Sequence, residues 1–118
     1  MWLITSLGFF SVVRKPGDRE AGTLTVRSRV RGDLVALQQR FLHSLGPITE
    51  SRNTDYRYRA QAPQAEVAAA MAAMVGAIDY GNFKSEVSKR QGAARANLYH
   101  DVWDVLYRLQ TGEGHDAG

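Results

Sequence analysis

With 118 residues and 44 % apolar side chains, the chain is sized for one folded domain with its own core. It has no cysteine, which excludes disulfides, thiolate catalysis and cysteine-ligated zinc and fits a reducing cytoplasm. The net charge of +3 is too small to specify a partner, but it is unevenly placed: residues 14–59 hold ten Lys/Arg against five Asp/Glu, and residues 60–118 hold five against seven.

The first ten residues are apolar but lack the basic start and small-residue cleavage site of a signal peptide. No apolar run approaches the ~20 residues of a membrane span, so a soluble, cytoplasmic protein is expected. Trp2 to Arg14 reads as a first strand, with Gly8 as a bulge or bend. Lys15-Pro16-Gly17-Asp18 is a turn. Thr23 to Val30 alternates, with Leu24, Val26 and Val30 on one side and Thr25, Arg27 and Arg29 on the other, which predicts a half-buried antiparallel strand.

Asp33 reads as the N-cap of a helix that buries Leu34, Leu37 and Phe41 and stops at Leu45-Gly46-Pro47. Ile48 to Thr54 is a weak third strand, and Tyr56 to Ala62 alternates as a fourth. Pro63 opens an alanine-rich helix with Val67, Met71, Met74 and Ile78 on its apolar stripe. A turn at Asp79–Asn82, a short helix from Phe83 to about Lys89 and a break near Gln91-Gly92 lead to the last helix, Ala93 to Leu109. Residues 111–118 form a polar tail expected to be disordered. The expected fold is α+β: a sheet of about four antiparallel strands in the order β-β-α-β-β-α-α-α, helices mainly on one face, in a single domain over residues 1–110.

Three groups of residues are candidates for function. The last helix places Leu98, Val102, Val105 and Leu109 on one stripe, and Tyr99, Trp103, Leu106 and Tyr107 widen its apolar arc to roughly 200°, where a surface helix usually shows little more than about 100°. The ridge Gln91, Arg95, Tyr99, Trp103, Tyr107, spaced by four, either packs on the alanine helix or forms an interaction surface, with Arg95 over Tyr99 as a cation–π pair. Self-association or a protein partner follows from the second reading.

Arg27, Arg29, Arg57 and Arg59 form the second group, a candidate nucleic-acid face whose alternative is a solvated, edge-protecting one. Strict alternation would put Tyr56 and Tyr58 on the opposite side from these arginines, which argues against base stacking there. The third group is a ligand or anion site drawn from Asp79, Lys84, Arg95, Tyr99 and His100. Its alternative is structural: Asp79 stops one helix, Asn82 caps the next, and Tyr80 and Phe83 staple the corner. His100, Asp104 and Arg108 read as a solvated charge ladder. Three scattered histidines make no metal site, and no motif points to a cofactor or to a catalytic nucleophile.

The segments Gly8-Phe9-Phe10-Ser11-Val12-Val13 with Lys15-Pro16, Leu24-Thr25-Val26-Arg27, Ile78-Asp79-Tyr80 with Asn82-Phe83-Lys84, and Tyr99-His100-Asp101-Val102-Trp103 together resemble a family of small bacterial proteins, over most of residues 1–110. The resemblance implies a bacterial, cytoplasmic, single-domain protein and brings no activity with it. The leading expectation is a non-enzymatic binding or accessory protein acting through its C-terminal helix.

Overall fold

The computed structural model describes residues 1–112 and divides the chain into two compact units, Met1–Asp79 and Tyr80–Gly118. The tail expected at 111–118 lies, from residue 113 onward, outside the described residues. The first unit is an antiparallel sheet with helices, as an α+β chain should be. Among the described residues the sheet has five strands, in the order β1-β2-β3-β5-β4, one more than the patterning suggested. The extra strand comes from the first apolar run, which is a hairpin of β1 (Trp2–Ile4) and β2 (Phe9–Val13). Thr5 makes the turn, its amide donating to the Gly8 carbonyl and its Oγ1 accepting the Leu7 and Gly8 amides. The chain therefore reverses between Thr5 and Gly8, where a single strand with a bulge or bend at Gly8 was expected.

After β2, the one-turn helix α1 (Asp18–Ala21) sits between two glycines of positive φ, Gly17 at 92° and Gly22 at 70°. It leads into β3 (Thr23–Ser28), which pairs with both β2 and β5. The next helix, α2 (Arg31–Arg40), is capped at Val30, so Asp33 is not its N-cap. Asp33 instead lies inside the first turn, 5 % exposed, and its Oδ2 accepts the Phe9 amide at 3.1 Å. The carboxylate satisfies a sheet amide, a long-range partner that no local pattern reports.

The weak third strand contracts to β4 (Thr49–Glu50), and the fourth begins two residues late, as β5 (Tyr58–Pro63). Pro63 ends β5 and caps α3 (Gln64–Gly76), where its missing amide hydrogen costs nothing. The full order is thus β-β-α-β-α-β-β-α-α-α.

Phe10, Val12, Val26, Ala60 and Ala62 supply the inner face of the sheet. Leu34 and Leu37 from α2, Val67 and Ala70 from α3, and Leu42 and Leu45 from the loop between α2 and β4 close over it. Phe41, Met71 and Met74 are only half-buried at the margin of this core. Ile78, expected on the buried stripe of the alanine helix, is 52 % exposed, because α3 ends at Gly76.

The second unit is a helical hairpin of α4 (Phe83–Gln91) and α5 (Ala93–Tyr107). Asn82 caps α4 as expected, its side chain accepting the Ser85 amide at 2.8 Å. The break falls at Gly92, whose φ of 94° suits glycine. Phe83 contacts Tyr80 at 6.3 Å between ring centroids and stacks on Tyr99 at 6.1 Å. Val87, Ala96 and Tyr99 are the buried residues of this hairpin. No helix among the described residues is long and apolar enough to cross a membrane.

Candidate functional site

The most conspicuous surface of the second unit is α5 itself. At about 1.5 Å per residue the fifteen-residue α5 is roughly 22 Å long and the nine-residue α4 roughly 13 Å, so α4 pairs with the first part of its neighbour only. Tyr99 is held in that paired part: Arg95 donates to its hydroxyl at 3.3 Å and lies 5.8 Å from its ring centroid, the cation–π pair the spacing anticipated. Further along the ridge, Trp103 and Tyr107 leave the interior and stack on each other at 5.2 Å, with His100 on the other face of Trp103 at 5.5 Å. Leu98, Val102, Val105 and Leu109 are 60, 36, 54 and 67 % exposed, and Trp103 and Leu106 are more than half exposed. The wide apolar arc is therefore largely bare. His100 lies 3.6 Å from Asp104, the first of the two contacts expected of the ladder.

The outer face of the sheet carries Arg27 and Arg59; Arg29 and Arg57, expected on the same strands, fall one residue past the end of β3 and one before the start of β5. One row crosses all five strands: Trp2 opposite Ser11, Ser11 opposite Arg27, Arg27 opposite Arg59, and Arg59 opposite Thr49. Val26 and Ala60, one residue along, point to the core, so this row faces away from it. Arg27 donates to Ser11 Oγ at 2.8 Å, and Arg59 to Thr54 Oγ1 and the Tyr56 carbonyl at 3.0 and 3.1 Å. Arg29 Nε donates to the Asp55 carbonyl at 3.0 Å.

Tyr56 corrects the alternation argument. It precedes β5, in an irregular bend that Thr54 pins by donating from its Oγ1 to the Tyr56 carbonyl at 2.7 Å. Freed from strand geometry, its ring turns to the arginine side and becomes 2 % exposed. The Arg27 and Arg29 guanidiniums lie 4.5 and 4.6 Å from its centroid, and Phe9 packs at 6.3 Å. Tyr58, inside β5, does take the core side beside Ala60. Arg57 is set apart from the other three: Glu50 accepts its Nε at 2.6 Å. That hydrogen bond, with the opposing charge, raises the Arg57 pKa and lowers that of Glu50.

At the other end of this face α1 provides a buried carboxylate that the sequence presented only as part of a turn. Asp18 accepts from Thr23 Oγ1 at 2.6 Å, Thr25 Oγ1 at 2.7 Å and the Lys15 amide at 2.7 Å. Burial by itself would raise its pKa. The hydrogen bonds from Thr23, Lys15 and Thr25, with the charge of Arg14, outweigh burial and hold the carboxyl below its usual value.

Of the third candidate group, Lys84, Arg95, Tyr99 and His100 belong to the second unit and Asp79 to the first. Asp79 is the exposed last residue of the first unit, Lys84 is exposed on α4, and His100 is exposed on α5. Arg95 is half-buried against Tyr99. No cluster of three or more His, Asp or Glu suited to a metal ion occurs among the described residues. No protein-family model matches the chain, and neither the curated proteins nor the solved structures compared with it include a match.

Proposed function

We propose that the protein works by binding rather than by catalysis, through the bare apolar face of α5, and that its partner there is a second copy of the chain. One observation carries this reading: Leu98, Val102 and Val105 on α5, with Leu109 in the turn just past its end, are all at least a third exposed. Contiguous apolar surface of this kind marks an interaction site. The stripe also reads the same in both directions, Leu-Val-Val-Leu at intervals of four, three and four. Set antiparallel about the midpoint of the stripe, a second copy brings Val102 opposite Val105 and Leu98 opposite Leu109, which the turn following α5 carries, as a twofold interface requires. Residues 80–118 hold five Lys/Arg and five Asp/Glu, so no net charge opposes pairing. Trp103 and Tyr107 flank the stripe and are residue types that dominate interface energies. A cysteine-free chain suits a cytoplasmic setting.

Light scattering at micromolar concentration is the test. Wild-type protein should show twice the 13.1 kDa chain mass. Val105→Glu, at a site 54 % exposed within one chain, should return a monomer with an unchanged far-UV spectrum. A monomeric wild type, or a dimer indifferent to Val105→Glu, overturns the reading.

A further inference from the structure

We propose that the outer face of the sheet binds single-stranded nucleic acid, with Arg27, Arg29 and Arg59 taking phosphates and Trp2 stacking on a base. The first unit alone supplies this site, which is independent of α5.

The three guanidiniums are fixed in place without being neutralised. Arg27 and Arg59 stand directly opposite each other on neighbouring strands, an arrangement of like charges that ordinarily destabilises a sheet. Their polar contacts are a serine hydroxyl, a threonine hydroxyl and a backbone carbonyl, all uncharged. The Nε of each is buried and has no acceptor among the described residues. Arg29 is held in the same way, by the Asp55 carbonyl and by the Tyr56 and Phe9 rings at 4.6 and 5.7 Å. Three other arginines have carboxylates: Arg52 and Arg57 share Glu50, and Arg90 pairs with Glu86. The fold thus leaves concentrated positive charge on one side of the sheet and orders the side chains that carry it. An anion bound there meets groups already oriented, with little conformational entropy left to lose.

A ring on the same face makes a single strand the better ligand than a duplex or free phosphate. Trp2 begins the row that contains Arg27 and Arg59, is 70 % exposed, and is steadied by an edge-to-face contact with Phe9 at 5.9 Å. From β1 to β5 the row crosses three inter-strand gaps, about 14 Å at ~4.8 Å each. A strand lying across it would place one unstacked base on Trp2 and successive phosphates on the guanidiniums, the pairing of ring and cation that single-strand binders use. Duplex bases are already stacked and have no use for the ring. Tyr56, sealed beneath Arg27 and Arg29, positions the cations rather than touching a base.

The experiment is fluorescence anisotropy of the full-length chain with labelled oligo(dT) and oligo(U), at 50 and 200 mM salt, beside a duplex of equal length and inorganic phosphate as competitor. Three phosphate contacts give a log–log salt slope of about −2, and Arg29→Ala should reduce it by about 0.7. Trp2→Ala, at an exposed position where folding is not at stake, should weaken binding roughly five- to a hundred-fold. Undetectable binding at the lower salt, or binding unchanged by both variants, overturns the proposal. Loss with Arg29→Ala but not with Trp2→Ala, equal affinity for the duplex, or full displacement by millimolar phosphate also overturns it, by reducing the site to a phosphate site.

Discussion

Gly8 and Asp33 lie so close that a Cβ on the glycine would stand 2.3 Å from the Asp33 Cγ and 2.6 Å from its Oδ2. The proximity is what lets the Asp33 carboxylate accept the neighbouring Phe9 amide at 3.1 Å and tie the first turn of α2 to the β1–β2 hairpin. Gly8→Ala should therefore cost about 1–3 kcal/mol through overpacking, measurable by urea denaturation. In an Asp33→Ala background the same change should cost less, because two of the clashing atoms are gone, although Asp33 Cβ, also 2.6 Å away, limits the relief. Strictly additive effects would contradict the contact.

Asp18 makes stability depend on acid pH. Its folded pKa is lowered, so its contribution is fully present above the unfolded value of about 3.9 and is lost as pH falls through the folded value. Asp18→Asn disrupts an acceptor that holds two hydroxyls and an amide and should cost about 1–3 kcal/mol at neutral pH. The difference between wild type and variant should shrink below about pH 4. Thermal melts at neutral pH and in acid measure this; a difference that does not change with pH would mean the carboxylate is not the species that matters.

The ring of Tyr56 should matter more than its hydroxyl. Tyr56→Phe keeps the surface beneath Arg27 and Arg29, whereas Tyr56→Leu removes two cation–π contacts, each worth on the order of 1 kcal/mol. Equal stability of the two variants in chemical denaturation would show that the guanidiniums do not depend on the ring.

Asn82→Ala should weaken the start of α4 by about 1 kcal/mol, since its side chain accepts the Ser85 amide. Hydrogen exchange at Ser85 should rise at least several-fold while that of β3 stays as in the wild type. Unchanged protection at Ser85 would remove the cap from the account.

The features legible in the amino-acid order are local ones. Alternation through Leu24, Val26 and Thr25 placed β3, the alanine run placed α3, Asn82 marked the start of α4, and the crowding of large apolar residues after Leu98 announced a helix with too much surface for its neighbours. Each follows from side-chain periodicity or from a cap within four residues, and neither depends on the rest of the chain.

The tertiary structure decided everything that joins distant residues. Asp33 looks like a helix cap because aspartate caps helices, yet its partner is an amide 24 positions earlier. Asp18 looks like a turn residue until β3 brings Thr23 and Thr25 to it. Tyr56 belongs to the tyrosine side only as long as β5 is extended that far. Once the strand starts at Tyr58, the ring is free to rotate under Arg27, whose position is set by pairing with β2 and β5, and under Arg29, one residue past the end of β3. Register between strands far apart in sequence is fixed by the shared core, and no single segment contains that information.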